Sequence, residues 1–370
     1  MRNLTIGLAA ASLVILVLRA APSAAPQAHA ESASWNAQGA ASYLDGRMDW
    51  WLKWPNAARD HDTACVSCHT ALPYALARTA LQSALGARDM PAPQQAMLAH
   101  VTKRVRLWSE VEPFYPDQTR GLPKSSESRG TEAVLNALVL ATRDRAAGSL
   151  GGDTERAFAN MWALQFKAGD LKGAWAWLNF HYEPWESTES PYYGAALAAL
   201  AVGSAPGGYA ARADIQNQLG LLRDYLRRGA ANERLFNRLA ALWASGTWAG
   251  LFTSAEQQAI ADAAFAIQAA DGGWSTAALG TWTRGDGTAL DTGSDGYATG
   301  LVAIALGRAG VPRSQPQLGK AIVWLVRHQD AGGMWRASSL NKQRDPASDA
   351  GKFMSDAATA YAVLALTDQH

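Results

Sequence analysis

Apolar residues follow a helical spacing along most of the chain, in segments rich in Ala and Leu. A period of about 3.6 residues is typical of helices that bury one face or more. The period-two alternation that marks a half-buried strand is nearly absent. The hydrophobic pattern therefore predicts an all-α protein.

The helical segments repeat every ~50 to 60 residues as a polar-faced helix, a loop rich in Gly and Trp, and an Ala-rich second helix. Six such hairpins follow one another. Their second helices are predicted to start at Cys65, Ser126, Thr188, near Asn232, Ser294 and Ser355. These helices are almost uncharged, so they must be buried on nearly all sides. The pattern predicts one domain over residues 31–370, an (α/α)6 toroid with an inner and an outer ring of helices.

Four of the second helices begin with Ser or Thr followed by an acid, which places Glu127, Glu189, Asp295 and Asp356 at equivalent positions. At such a position the hydroxyl can cap a backbone N–H group, and the helix dipole favours the carboxylate. Capping explains these acids without chemistry. The alternative is a catalytic general acid at the mouth of the ring, for which Asp295 and Asp356 are the candidates.

Two loops carry related strings, Gln-Ala-Ala-Asp-Gly-Gly-Trp at residues 268–274 and Gln-Asp-Ala-Gly-Gly-Met-Trp at residues 329–335. Gln165 and Trp175 look like a third, degraded copy. These loops resemble the Gln-Trp repeats of squalene-hopene and oxidosqualene cyclases. The resemblance covers roughly residues 35–370 and implies the α/α toroid of terpenoid cyclases, protein prenyltransferase β-subunits and complement-type thioester domains.

The chain departs from the chemistry of those families. The Asp-x-Asp-Asp-Thr-Ala motif that protonates the cyclase substrate is missing, since residues 291–295 read Asp-Thr-Gly-Ser-Asp. The late Cys of the prenyltransferase zinc site and the thioester motif are missing as well. The resemblance therefore implies a fold and not an activity.

Residues 65–69 read Cys-Val-Ser-Cys-His, a C-x-x-C-H string that is typical of c-type haem attachment. Cys65 and Cys68 add to the two porphyrin vinyl groups, and His69 is the expected proximal iron ligand. These are the only two cysteines in the chain. The motif predicts one covalently bound haem c. It resembles the motif of c-type cytochromes, but no cytochrome c domain surrounds it.

Two other interpretations of Cys65 and Cys68 remain open. A local disulfide or redox dithiol is favoured by export, but thiol-exchange proteins carry this motif in a mixed α/β fold. A structural zinc site requires four nitrogen or sulfur ligands, and only Cys65, Cys68 and His69 cluster in the sequence.

A haem at the start of the first inner helix would lie at the mouth of the ring, among loops that could wall a porphyrin or an apolar ligand. Those loops carry Trp175, Trp177, Phe180, His181, Tyr182, Trp185, Trp274, Trp282, Trp335 and Met354. Met354 is the first candidate for a distal iron ligand, because the last inner helix neighbours the first in a closed ring. His181 and His61 are alternatives, and ordinary packing explains each of the three without ligation.

The N-terminal residues 1–30 have the pattern of a secretory signal: Arg2, an apolar run at residues 4–18, and a cleavage site near Ala30. Export to the periplasm or beyond is therefore expected, with no membrane span in the mature chain. The formal net charge of +1 offers no electrostatic case for nucleic acid.

The leading functional hypothesis is an exported monohaem c-type protein with a redox partner protein, active in electron transfer or a haem-dependent oxidoreductase reaction. An apolar small molecule in the central pocket is a further expected ligand. The second hypothesis is a terpenoid-cyclase-like or polysaccharide-active toroid enzyme that uses the mouth carboxylates. The third is a toroid that binds a ligand without catalysis.

Overall fold

The computed structural model describes Met1 and residues 34–119, 121 and 123–368. The predicted signal segment, with its cleavage site near Ala30, falls on residues outside this described part. The regular structure of the described part consists of twelve α-helices, four short 3-10 helices and one pair of strands of two residues each. The predicted all-α class is thereby confirmed.

The odd-numbered helices are the polar-faced ones of the sequence repeat. They are α1 (Ala37–Lys53), α3 (Ala92–Arg106), α5 (Gly152–Ala163), α7 (Gln216–Gly229), α9 (Ser254–Ala266) and α11 (Pro316–Arg327). Each packs on one or two even-numbered helices. No helix in the described residues combines the length and apolarity that crossing a bilayer requires.

The even-numbered helices are the Ala-rich ones, and most of their residues are buried. They are α2 (Ala71–Ala84), α4 (Ser125–Ala147), α6 (Ser190–Ser204), α8 (Leu235–Ser245), α10 (Gly296–Arg308) and α12 (Phe353–Thr367). Each even-numbered helix contacts the next even-numbered helix along the chain, and α12 also contacts α2. The contact between α10 and α12 is especially close, because a Cβ on Gly300 would lie 2.7 Å from the backbone nitrogen of Ala362.

Aromatic side chains of the even-numbered helices meet in the interior. Tyr193 stacks on Phe236 at 5.3 Å between ring centroids, and Phe236 stacks on Tyr297 at 6.2 Å. Tyr297 lies 5.3 Å from Tyr361, which in turn lies 5.8 Å from Trp243. All five are buried. Aromatic rings of the chain itself therefore fill this part of the interior and leave no room there for a ligand.

The Gln-Trp loops share one hydrogen-bonding pattern, which occurs three times. In each loop the Gln amide donates to a Gly carbonyl of its own loop and to a carbonyl on another hairpin, and the Trp indole donates to the end of the preceding helix. The glutamines are Gln165, Gln268 and Gln329, and the tryptophans are Trp175, Trp274 and Trp335. Gln165 and Trp175 are thus a third copy of the loop in structure as well as in sequence.

The prediction that the first inner helix starts at Cys65 is wrong, since α2 begins at Ala71. The short strands β1 (Ala58–Arg59) and β2 (Thr63–Ala64) pair antiparallel, and Cys65 extends this pairing by donating its N–H to Ala57. The chain is therefore extended through Cys65. Ser67 then sets the helix start, because its hydroxyl accepts the N–H groups of Thr70 and Ala71.

The prediction that Asp356 and Asp295 occupy equivalent positions is also wrong, because the equivalent residue lies one position earlier in the chain. Thr276 donates its N–H to Asp295, and at the matching place in the next loop Ala337 donates to Ser355. Ser355 is therefore the counterpart of Asp295. One step along a helix turns a side chain by about 100°, so Asp356 points to a different set of neighbours.

Helix capping holds for only one of the four acids. Asp295 is the N-cap of α10 and accepts the N–H of Ala298. Glu189 is the N-cap of α6 but makes no capping bond with its side chain. Glu127 lies in the first turn of α4, where it pairs with Lys124 at 2.5 Å.

Candidate functional site

A cavity of about 780 Å³ opens beside residues 65–69. This volume is within the range of ~300 to 1,000 Å³ that small-molecule and cofactor sites occupy. All five motif residues line it. Aromatic side chains form a large part of the remaining wall: Trp51, Trp54, Phe114, Tyr115, Tyr182, Trp185 and Phe353. Its charged residues are Arg59, Glu183, Glu186 and Arg344.

The two cysteines lie in the cavity wall as free thiols, with 8% of Cys65 and 4% of Cys68 exposed. The indole N–H of Trp51 donates to the carbonyl of Cys65 at 2.8 Å, which anchors the first cysteine to α1. Burial raises the pKa of Cys65 to about 11 and raises that of Cys68 as well. Both sulfurs are therefore protonated near neutral pH.

The protonated state of the thiols bears on the two alternatives to haem. A reactive dithiol works through a thiolate, which requires a lowered pKa and not a raised one. The pair is not joined as a disulfide. No group of three or more His, Cys, Asp or Glu residues in the described part of the chain is arranged to hold a metal ion. The raised pKa of both thiols therefore argues against thiol exchange as the role of this pair.

The imidazole of His69 is held by aromatic rings on two sides. Phe353, at the start of α12, stacks on it with ring centroids 3.8 Å apart and an angle of 22°. Trp51 meets it edge-on at 5.0 Å. The ring remains partly exposed, and the space it faces is the cavity.

A hydrogen-bond chain behind His69 determines which ring nitrogen carries the proton. Nδ1 lies 2.8 Å from the hydroxyl oxygen of Thr70, and that hydroxyl donates to Asp356 at 2.7 Å. Since the hydroxyl has a single proton and Asp356 receives it, Nδ1 must be the donor to Thr70. Burial, with the charges of Arg47 and Arg344, lowers the pKa of His69 to about 3. The neutral ring therefore keeps a lone pair on Nε2.

Asp356 is 1% exposed and does not line the cavity. Besides Thr70, it accepts hydrogen bonds from the hydroxyl of Tyr43 at 2.7 Å and from Nε of Arg47 at 2.8 Å. Burial raises its pKa, against the opposing effect of Arg47 and the two hydroxyl donors. A carboxylate with these three donors supports the motif from behind and cannot reach a ligand in the cavity.

The other predicted site residues divide into one that joins the motif and three that do not. Met354, 3% exposed, lines the same cavity as His69. His181 is exposed and lines a separate depression with Glu189 and Trp282. Asp295 lines a third depression, where burial raises its pKa to about 6. His61, outside the cavity lining, is exposed and pairs with Asp60 at 2.9 Å.

Of the predicted mouth aromatics, only Tyr182 and Trp185 line the cavity. Most of the aromatic wall is instead formed by residues that sequence reasoning did not single out, among them Trp51, Trp54 and Phe353. The concentration of Trp50, Trp51 and Trp54 shortly before the motif was a usable signal. Thr70 had none, because its role depends on a residue 286 positions away.

No protein-family model matches this chain, and no curated protein matches it either.

Proposed function

We propose that this chain is an exported monohaem c-type protein, with haem bonded to Cys65 and Cys68 and iron bound by Nε2 of His69. One observation carries the proposal: two unpaired thiols and an imidazole with a free Nε2 line one aromatic-walled cavity of cofactor size. When bound, haem supplies one-electron redox chemistry or a site for a small ligand at the iron.

Two arginines in the cavity wall suit the carboxylates of a haem. Neither arginine, Arg59 or Arg344, pairs with a carboxylate of the described residues. Nη1 of Arg59 donates to the carbonyls of Asn56 and Ala58, and its Nε is buried without a hydrogen-bond partner. A guanidinium binds carboxylates through two parallel hydrogen bonds. We expect these arginines to bind the haem propionates, which the neutral aromatic wall cannot do.

The arrangement proposed for the helices is the (α/α)6 toroid. Its support is the sequence of contacts from α2 through α4, α6, α8 and α10 to α12, with α12 returning to α2. In a toroid the loops before the inner helices meet at one end, which brings Phe353 and Met354 to the cysteine motif.

Electron transfer is the proposed activity, with Met354 as the sixth iron ligand and a redox protein as partner. A thioether on the distal side favours electron transfer, whereas an open position permits ligand chemistry. Met354 supports this because it lines the cavity in a buried position. The cyclase-like alternative lacks support, since Asp295 and Asp356 are both outside the cavity.

The experiment is expression with the signal segment in a bacterium that attaches c-type haem in its periplasm. We expect a red protein whose haem stays bound in acid acetone and whose mass equals the chain from near residue 31 plus one haem. Cys65→Ser with Cys68→Ser should abolish covalent attachment, and His69→Ala should change the iron spectrum. His181→Ala is the matched control and should behave as the wild type.

Two results would contradict the proposal. One is a colourless, folded wild-type protein with two thiols open to alkylation after unfolding. The other is an unchanged iron spectrum in His69→Ala. Retention of residues 1–30 in the purified protein would contradict the export part alone.

A further inference from the structure

We propose that Thr70 is a positioning residue for the iron ligand: its hydroxyl, oriented by Asp356, holds His69 so that Nε2 faces the cavity. The inference rests on the proposed function, because it concerns how the same imidazole is presented to haem. The observation behind it is the chain of contacts from Nδ1 of His69 to Thr70 at 2.8 Å and from Thr70 to Asp356 at 2.7 Å.

The direction of both hydrogen bonds follows from counting protons. A Thr hydroxyl has one proton and two lone pairs, whereas a carboxylate only accepts. The proton of Thr70 is committed to Asp356, so its lone pair faces Nδ1. Only the ring tautomer with a proton on Nδ1 satisfies this contact. The other tautomer would set a lone pair against a lone pair and leave Nε2 unable to bind iron.

The acceptor is itself fixed, so the hydroxyl cannot turn away. Asp356 also receives hydrogen bonds from Tyr43 and Arg47 on α1. Arg47 is held in turn by the side chain and carbonyl of Asp349, at 2.8 and 2.9 Å. Asp356 thus joins α1, the turn that precedes α2, and α12 at one buried point. Phe353, three residues earlier on α12, stacks on the same imidazole.

This arrangement has a consequence for the electronic properties of the ligand. A hydrogen bond from the outer nitrogen of a ligating imidazole fixes its orientation and raises the basicity of the inner nitrogen. A more basic Nε2 stabilises the ferric form relative to the ferrous form. Thr70 is therefore expected to lower the reduction potential of the bound haem.

The test compares Thr70→Val, which keeps the shape but loses the hydroxyl, with Thr70→Ser, which keeps the hydroxyl. We expect the equilibrium constant for reduction of haem-loaded Thr70→Val to rise about tenfold, equal to about 59 mV for one electron. In a Met354→Ala background, which leaves the ferrous iron without a methionine ligand, the iron–imidazole stretching frequency of Thr70→Val should also fall. Thr70→Ser should match the wild type in both.

Both readouts are taken on loaded, folded protein, so a loss of yield in Thr70→Val does not affect them. If Thr70→Val fails to fold, Asp356→Asn provides the second variant. Its amide retains an acceptor oxygen for Thr70 but removes the charge, and we expect a potential between those of the wild type and Thr70→Val.

The outcomes separate the two proposals. A wild-type chain without covalent haem overturns the proposed function. A wild-type chain with haem, whose potential and stretching frequency are unchanged in Thr70→Val or in Asp356→Asn, overturns only the role of Thr70. Equal shifts in Thr70→Val and Thr70→Ser also overturn it, because the hydroxyl would then not be responsible.

Discussion

Replacing Gly300 by Ala tests how closely α10 and α12 approach each other. A Cβ at this position would lie 2.7 Å from the backbone nitrogen of Ala362 and 2.8 Å from the carbonyl carbon of Tyr361. Ordinary contacts of a Cβ lie at 3.4 to 4 Å, so the helices must separate. The obstacle is helix backbone and not a flexible side chain, which removes the usual route of relief.

The expected magnitude follows from two opposing terms. Overpacking of a core costs about 1 to 3 kcal/mol, and a backbone collision belongs at the upper end of that range. Ala is favoured over Gly in a helix by about 1 kcal/mol. Gly300→Ala should therefore lower the free energy of unfolding by about 2 kcal/mol, the difference between these two estimates. The displaced helix α12 carries Phe353 and Met354, so the cavity wall should loosen as well.

Gly46→Ala is the matched control. Gly46 lies on the exposed face of α1, and an added Cβ would meet nothing within 4 Å. This variant should gain about 1 kcal/mol, so the two variants should differ by about 3 kcal/mol. Urea denaturation followed by helical circular dichroism, on all three proteins in the same haem state, measures the difference. Equal stability of the two variants would refute the close packing of α10 on α12.

Three further predictions concern the site and its surroundings. Met354→Ala should let carbon monoxide bind rapidly to the reduced, haem-loaded protein. Met334 is a buried Met outside the cavity lining, so Met334→Ala should bind carbon monoxide as slowly as the wild type. Rapid binding by the wild type would exclude Met354 as an iron ligand. Trp51→Phe removes the indole donor to the Cys65 carbonyl and should lower the free energy of unfolding by about 1 to 3 kcal/mol. The control is Trp248→Phe, whose indole makes no hydrogen bond to a described residue and whose loss should be smaller. Equal losses in the two variants would contradict a role for the hydrogen bond. The pKa of Asp295 is about 6 in the folded protein and 3.8 in the unfolded chain, so the native state binds the proton more tightly. The stability that this protonation contributes is therefore present below pH ~4 and is lost as the pH rises through about 6. Asp295→Asn should remove a slope of about 1.4 kcal/mol per pH unit between these pH values, and unfolding curves of both proteins with the same slope would contradict the assignment.

The helical class and the order of the elements could be predicted from the sequence because they depend on local patterns. A period of 3.6 residues and the Gly-rich loops between periodic segments predicted second helices close to those observed. The start of α12 is within two residues of its prediction, whereas the start of α2 is six residues later than expected. The difference has a physical cause, since Ala58–Arg59 pairs with Thr63–Ala64 and holds the chain extended into the motif.

The site shows the same division. Cys65, Cys68 and His69 are recognisable together because the chemistry of the motif needs them adjacent in the chain. Their surroundings are not adjacent. Trp51 reaches the motif from α1, and Phe353 and Met354 reach it from α12, near the other end of the chain. Composition indicated an aromatic wall, but it assigned that wall to loops whose tryptophans, apart from Trp185, lie outside the cavity.

Sequence alone determined the helical segments, the three Gln-Trp loops and the five-residue motif, because each is a property of residues within a few turns of one another. Tertiary structure alone decided the role of Asp356. Its carboxylate meets Thr70 and Arg47 across 286 and 309 residues. A shift of one residue in the start of a helix turns a side chain by about 100°, enough to change a predicted acid at the mouth into a buried support for His69.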